Sequence, residues 1–159
     1  MIDRFERFSY AVSEISRHWH KITSDEMAQY GLKGTHSIYL LTLLQYPEGL
    51  TALQLCELCD RDKADVSRMM AIMEKKGLVL IQLNGTSKYR GVFMLTESGL
   101  EAAKHVRQRA SEAVEFAGKD LTDENRQIFY QSLASILQNL RELSKNGIPN
   151  HDKGETAYE

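Results

Sequence analysis

The sequence is short of the residues that interrupt or cross-link a chain. Two prolines and ten glycines in 159 residues leave room for long helices. Two cysteines, Cys56 and Cys59, cannot build a disulfide framework. No apolar run approaches the length needed to span a bilayer, and the opening MIDRFERFSY lacks the apolar stretch of a secretory signal. The expectation is a cytoplasmic chain with no membrane partner. Catalytic signatures are missing as well: there is no glycine-rich phosphate loop, no HExxH and no nucleophile elbow. No enzyme activity, cofactor or metal is therefore expected.

What is present is ordinary in bulk and uneven in detail. A hydrophobic content of 42% and a charged content of 26% place the chain among soluble globular proteins. The length suits one domain with accessory helices. The net charge of −2 hides an asymmetry. Residues 61–90 hold seven cations (Arg61, Lys63, Arg68, Lys75, Lys76, Lys88, Arg90) against Asp62, Asp65 and Glu74, a net of +4 that leaves −6 elsewhere. A basic middle between acidic ends suggests one face built to meet an anion.

Periodicity supplies the elements. Phe5, Phe8, Val12, Ile15, Trp19 and Ile22 are spaced 3, 4, 3, 4, 3, which predicts a helix over 3–29 ending near Gly31, with a narrow seam suited to another helix. Thr35 is positioned to cap a second helix with Ile38, Leu41 and Leu44 inward, stopped by the turn YPEG at 46–49. Thr51 with Gln54 is a capping box for a short third helix to Cys59, and Asp60 tolerates the left-handed turn that follows. Asp62 caps a fourth helix with Val66, Met69, Met70 and Met73 inward, closed by Gly77. LVLIQL (78–83) and RGVFML (90–95) form a hairpin. A two-residue turn at Asn84-Gly85 competes with a longer loop, and the longer loop is preferred because it pairs both strands at full length. Thr96 caps a fifth helix to about Gly118, and Leu121 to Ser144 forms a sixth with Phe129, Leu133, Ile136, Leu137, Leu140 and Leu143 on it.

The fold expected from this order is mainly α: a winged helix-turn-helix with a two-stranded β wing, flanked by N- and C-terminal dimerisation helices. Its divisions are an N-terminal helix (1–30), the winged helix-turn-helix (31–99), C-terminal helices (100–145) and a tail (146–159). The inner stripe of the fourth helix leaves Lys63, Ala64, Ser67, Arg68 and Ala71 outward. Small residues at 64, 67 and 71 let the backbone approach a major-groove floor, while Lys63, Ser67 and Arg68 offer donors. Lys88 and Arg90 near the hairpin tip can reach flanking phosphates or the minor groove. Double-stranded DNA is the partner that one helix face and one hairpin tip would share. The blander reading is a solvated surface on a winged helix that binds protein.

The stretch ALQLCELCDRDKADVSRMMAIMEKKGLV, the hairpin and FMLTESG resemble the MarR family of transcriptional regulators. VSR (66–68), EKKGLV (74–79) and LTESG (95–99) are the most specific pieces. The resemblance implies a homodimer whose end helices interlock and whose recognition helices read a palindromic operator. Ser67 and Arg68 match recognition-helix positions and Arg90 the wing arginine. It further implies a repressor released by a small aromatic effector, for which Trp19, His20, His36 and Tyr39 are candidate lining residues. The chain departs from the family at Lys88, where an aspartate is usual, in a shorter wing, and at Asp60 and Arg61, where glycine and an apolar residue are usual.

Two features have a plainer reading beside the sharp one. Cys56 and Cys59 form a lone CxxC inside a helix, with no second pair to complete a metal site. Core packing accounts for them, and a cysteine-based redox regulator of the same fold is the alternative. His18, His20 and His36 are likewise explained as exposed or capped histidines around a core tryptophan.

Overall fold

The computed structural model describes residues 3–83 and 91–149. Asp3 caps α1 (Arg4–Ala28) in a capping box with Glu6, and the helix ends before Gly31, whose φ is +66°. A single 3-10 turn, Gly34–His36, leads directly into α2 (Ser37–Gln45). Thr35 therefore does not cap α2 as expected. It lies inside that turn, His36 stands at the cap without a side-chain capping bond, and the Ser37 hydroxyl donates back to the Gly34 carbonyl at 2.6 Å. In α2 the fully buried face is Tyr39, Leu40 and Leu43, with Ile38, Leu41 and Leu44 half-buried against it. A segment apolar nearly all round gives periodicity little to choose between.

Next come α3 (Ala52–Cys59) and α4 (Lys63–Lys75), then β1 (Val79–Gln82) and β2 (Val92–Leu95). The strands pair antiparallel, Val79 opposite Leu95 through Gln82 opposite Val92, which leaves the longer connection between them. Pairing is shorter than expected and shifted by one residue: full-length pairing of 78–83 with 90–95 would set Leu95 opposite Leu78, and it lies opposite Val79. Leu78 is occupied in ending α4: its N–H donates to Met73 and that of Gly77 to Glu74, a Schellman closure around Gly77 at φ +71°. Leu50 adds a bridge to Phe93 that the sequence did not announce.

The wing hands over to α5 (Glu97–Ala117) through Thr96, whose hydroxyl donates to the Gly77 carbonyl at 2.6 Å and accepts from the Gly99 N–H at 3.0 Å. Gly99 lies so close to Leu78 that a β-carbon there would stand 1.9 Å from the Leu78 carbonyl oxygen. One core runs beneath these elements, from Met27 and Leu32 through Leu40, Leu43, Leu55, Val66, Met70, Met73 and Val79 to Ala102, Ala103 and Val106. Glu26 near the end of α1 accepts from Arg109 Nε at 3.1 Å and lies 3.3 Å from His105 Nε2, both on α5.

The chain divides into two compact units, one up to Val114 and one from Glu115. In the second, α6 (Asp123–Asn146) is capped by Thr122 and starts two residues past the expected Leu121, and Arg126 bonds Glu115 and the Gly118 carbonyl. No residue of α6 is buried. Among the described residues no helix is long and apolar enough to cross a membrane.

Candidate nucleic-acid interface

Local chemistry fixes where α3 stops and α4 starts. The Thr51 hydroxyl accepts from the Gln54 N–H at 3.3 Å, and Gln54 Oε1 accepts from the Thr51 N–H at 2.9 Å, so α3 starts where the capping box dictates. It stops at Asp60, which adopts φ 52°, ψ 54°, while the Arg61 N–H folds back onto the Cys56 carbonyl. Asp62 then accepts from the Asp65 N–H at 2.8 Å and starts α4. A three-residue turn, 60–62, that opens on left-handed Asp60 is the joint of a helix-turn-helix.

Burial orients α4. Val66, Met70 and Met73 are sealed in the core, and Met69, expected beside them, is half-buried. Lys63, Ala64, Ser67, Arg68 and Ala71 all lie on the exposed side, in the company of Lys75 and Lys76. The face therefore combines three small side chains with cations at its margins. The structure brings Lys63, Ala64, Ser67 and Arg68 together on one surface. Lys88 and Arg90, the expected wing contacts, lie outside the described residues.

One side chain beside this face, Asp65, was not singled out from the sequence. Asp65 reads there as a first-turn charge complementing the helix dipole. In the fold its Oδ1 accepts from Arg68 Nη2 at 2.7 Å, and its Oδ2 accepts from the Tyr39 hydroxyl at 2.6 Å. The Tyr39 hydroxyl, and then the Arg68 guanidinium, hold the Asp65 carboxyl below its usual range, with nearby Arg61 assisting. Burial, reinforced by the bond to Asp65, pushes the Tyr39 phenol upward. Only the i, i+3 spacing of Asp65 and Arg68 was visible beforehand. Their buried partner stands 26 residues away from Asp65 in sequence.

The four candidate effector residues sit in two environments. Trp19 is 40% exposed on α1, and His20 lines a shallow groove walled by α1 residues alone, among them Phe8, Val12 and Arg17. His36 and Tyr39 are sealed, at 2% and 1% exposure. His36 Nδ1 lies 3.1 Å from both the N and O of Lys33, while its Nε2 has no hydrogen-bond partner among the described residues. Of the two cysteines, Cys59 is buried and donates to the Thr42 hydroxyl at 3.5 Å. Burial pushes its thiol up, away from the reactive thiolate.

No protein-family model matches the chain. No curated protein matches it either. Solved structures do. A MarR transcriptional regulator from Methanosarcina mazei superposes with a TM-score of 0.75 at 22% identity, covering 89% of this chain and 93% of that one. A MarR family regulator from Listeria monocytogenes, complexed with 26mer DNA, gives 0.76 at 19% identity over 95% and 100%. The Staphylococcus aureus MepR–DNA complex gives 0.75 at 21% identity over 84% and 97%. Likeness at these identities speaks to architecture, and the architecture of this chain is the winged helix-turn-helix fold of the MarR family transcriptional regulators.

Proposed function

We propose that the protein is a sequence-specific double-stranded DNA-binding transcriptional regulator, acting as a homodimer on a palindromic operator. One observation carries this reading: burial of Val66, Met70 and Met73 turns Lys63, Ala64, Ser67 and Arg68 outward together. Small residues at the centre allow groove-floor approach, and the cations reach base edges and phosphates. Two of the structurally similar proteins are complexes with DNA, which supports the same use of the fold.

Dimerisation is supported by what the ends of the chain leave uncovered. Phe5, Phe8, Val12, Ile15, Trp19 and Ile22 on α1 are all exposed, and so are Phe129, Leu133, Ile136, Leu137, Leu140 and Leu143 on α6. Monomeric proteins rarely present apolar stripes of this extent, and a second copy of the same helices is their most economical partner. Two recognition helices then meet half-sites roughly 34–36 Å apart, so a small rigid-body shift abolishes the fit. Repression released by a small aromatic molecule belongs to the same proposal. Trp19 and His20 are accessible to such a ligand, whereas His36 and Tyr39 reach it only if the packing around them opens.

Selection from a pool of random duplexes tests the reading. The expected product is an inverted repeat with half-sites about one helical turn apart. Recovery of no enriched sequence by the wild-type protein would refute it.

A further inference from the structure

Asp65 is an anion in the first turn of the helix that, on the reading above, enters a polyanion groove. Charge alone makes it a liability there. The helix dipole favours a carboxylate at this position, yet Asp62 already caps the helix, and neither effect accounts for the geometry. Asp65 Oδ2 is bonded at 2.6 Å to the hydroxyl of Tyr39, a side chain 1% exposed whose O–H needs an internal acceptor. Asp65 Oδ1 is bonded at 2.7 Å to Arg68 Nη2. The carboxylate is thus fixed from the core side by α2 and offered on its outer side to the arginine.

An exposed i, i+3 ion pair on its own contributes little and leaves the arginine mobile. Anchorage through a buried tyrosine changes that. Arg68 remains 64% exposed at its side chain while its Nη2 is held by Asp65, and a guanidinium carries further N–H donors beyond the one so engaged. A phosphate can be met by a guanidinium in many orientations, but the O6/N7 edge of a guanine requires the planar fork to arrive in one.

We infer that Asp65, clamped by the Tyr39 hydroxyl, is a positioning residue for Arg68 and through it a determinant of sequence specificity, presenting the guanidinium to a guanine edge. This rests on the DNA-binding reading and adds a base preference to it. The anion at the interface lowers affinity for DNA in general and raises discrimination between sequences.

The test measures binding of three kinds of duplex at one salt concentration: a duplex selected from a random pool by the wild-type protein, the same duplex with each half-site G·C pair replaced in turn, and a random duplex. The expected result for Asp65→Asn is unchanged or tighter binding to the random duplex, together with loss of about tenfold in preference at one G·C position. Arg68→Ala and Arg68→Lys lose the same preference, and Asp65→Asn added to Arg68→Ala removes nothing more. Tyr39→Phe loses part of it with the Asp65 charge intact. An Asp65→Asn protein that discriminates like wild type at every position overturns the inference, and so does an equal loss on selected and random duplexes. Failure of the parent reading is separate and is seen in the wild-type arm alone, as equal affinity for all three kinds of duplex.

Discussion

At the scale of single residues, Asp65 joins folding to the proposed function. Its carboxyl is held below the ordinary aspartate value of 3.8, so the interaction with Tyr39 and Arg68 stabilises the fold above that value. Stability from this source is lost as pH falls through the depressed value in the folded state. Denaturant titrations of wild type and Asp65→Asn should therefore differ by a constant amount near neutrality and converge on acidification below about pH 4. A gap that widens on acidification would reverse the sign of this argument. Tyr39→Phe removes a buried donor to a charged acceptor and is expected to cost about 1–2 kcal/mol at neutral pH. Neither effect was readable from sequence, because Tyr39 looks like one more apolar residue of SIYLLTLLQ and its partner lies on another helix.

At the scale of elements, the helix starts were the most legible feature. Asp62 and the Thr51–Gln54 box act through neighbours three residues away, so sequence spacing contains the whole interaction. The left-handed Asp60 and the glycine stop at Gly77 are local in the same sense. Thr35 misled because it lies inside a 3-10 turn that runs directly into α2 and leaves His36 at the cap. The ladder of the wing was over-extended because Leu78 is shared with the end of α4. The handover from wing to α5 depends on a close approach that sequence hides. Gly99→Ala gains about 1 kcal/mol of helix propensity, yet its β-carbon would collide with the Leu78 carbonyl. A net loss of at least ~2 kcal/mol in chemical denaturation is expected, and a stabilised variant would disprove the close approach. Beneath α4, Met70→Ala should cost about 2–5 kcal/mol by leaving a cavity under the outward face.

At the scale of the whole molecule, the exposed apolar stripes of α1 and α6 make assembly the economical expectation. Sedimentation should show a dimer at micromolar concentration. Replacing Ile136 and Leu140 together by glutamate, both exposed on α6, should yield monomers that keep their helicity and lose affinity for the selected duplex. The basic middle of the chain belongs to this scale too. A total charge of −2 would discourage a nucleic-acid reading, and only division along the sequence exposes the +4 of residues 61–90. That asymmetry was legible from the start, as was the winged helix-turn-helix order. What sequence could not supply was which α4 cations are held by neighbours and how the arginine is oriented.

The most direct measurement is the affinity for a random duplex across a series of salt concentrations, for wild type and for Lys63→Ala combined with Arg68→Ala. Phosphate binding by the outward face of α4 predicts a steep linear fall of log affinity with log salt. In the variant the slope should flatten by about 0.9 for each phosphate it no longer neutralises. A wild-type affinity independent of salt, or a variant whose line coincides with that of the wild type, would contradict the assignment of that face to DNA.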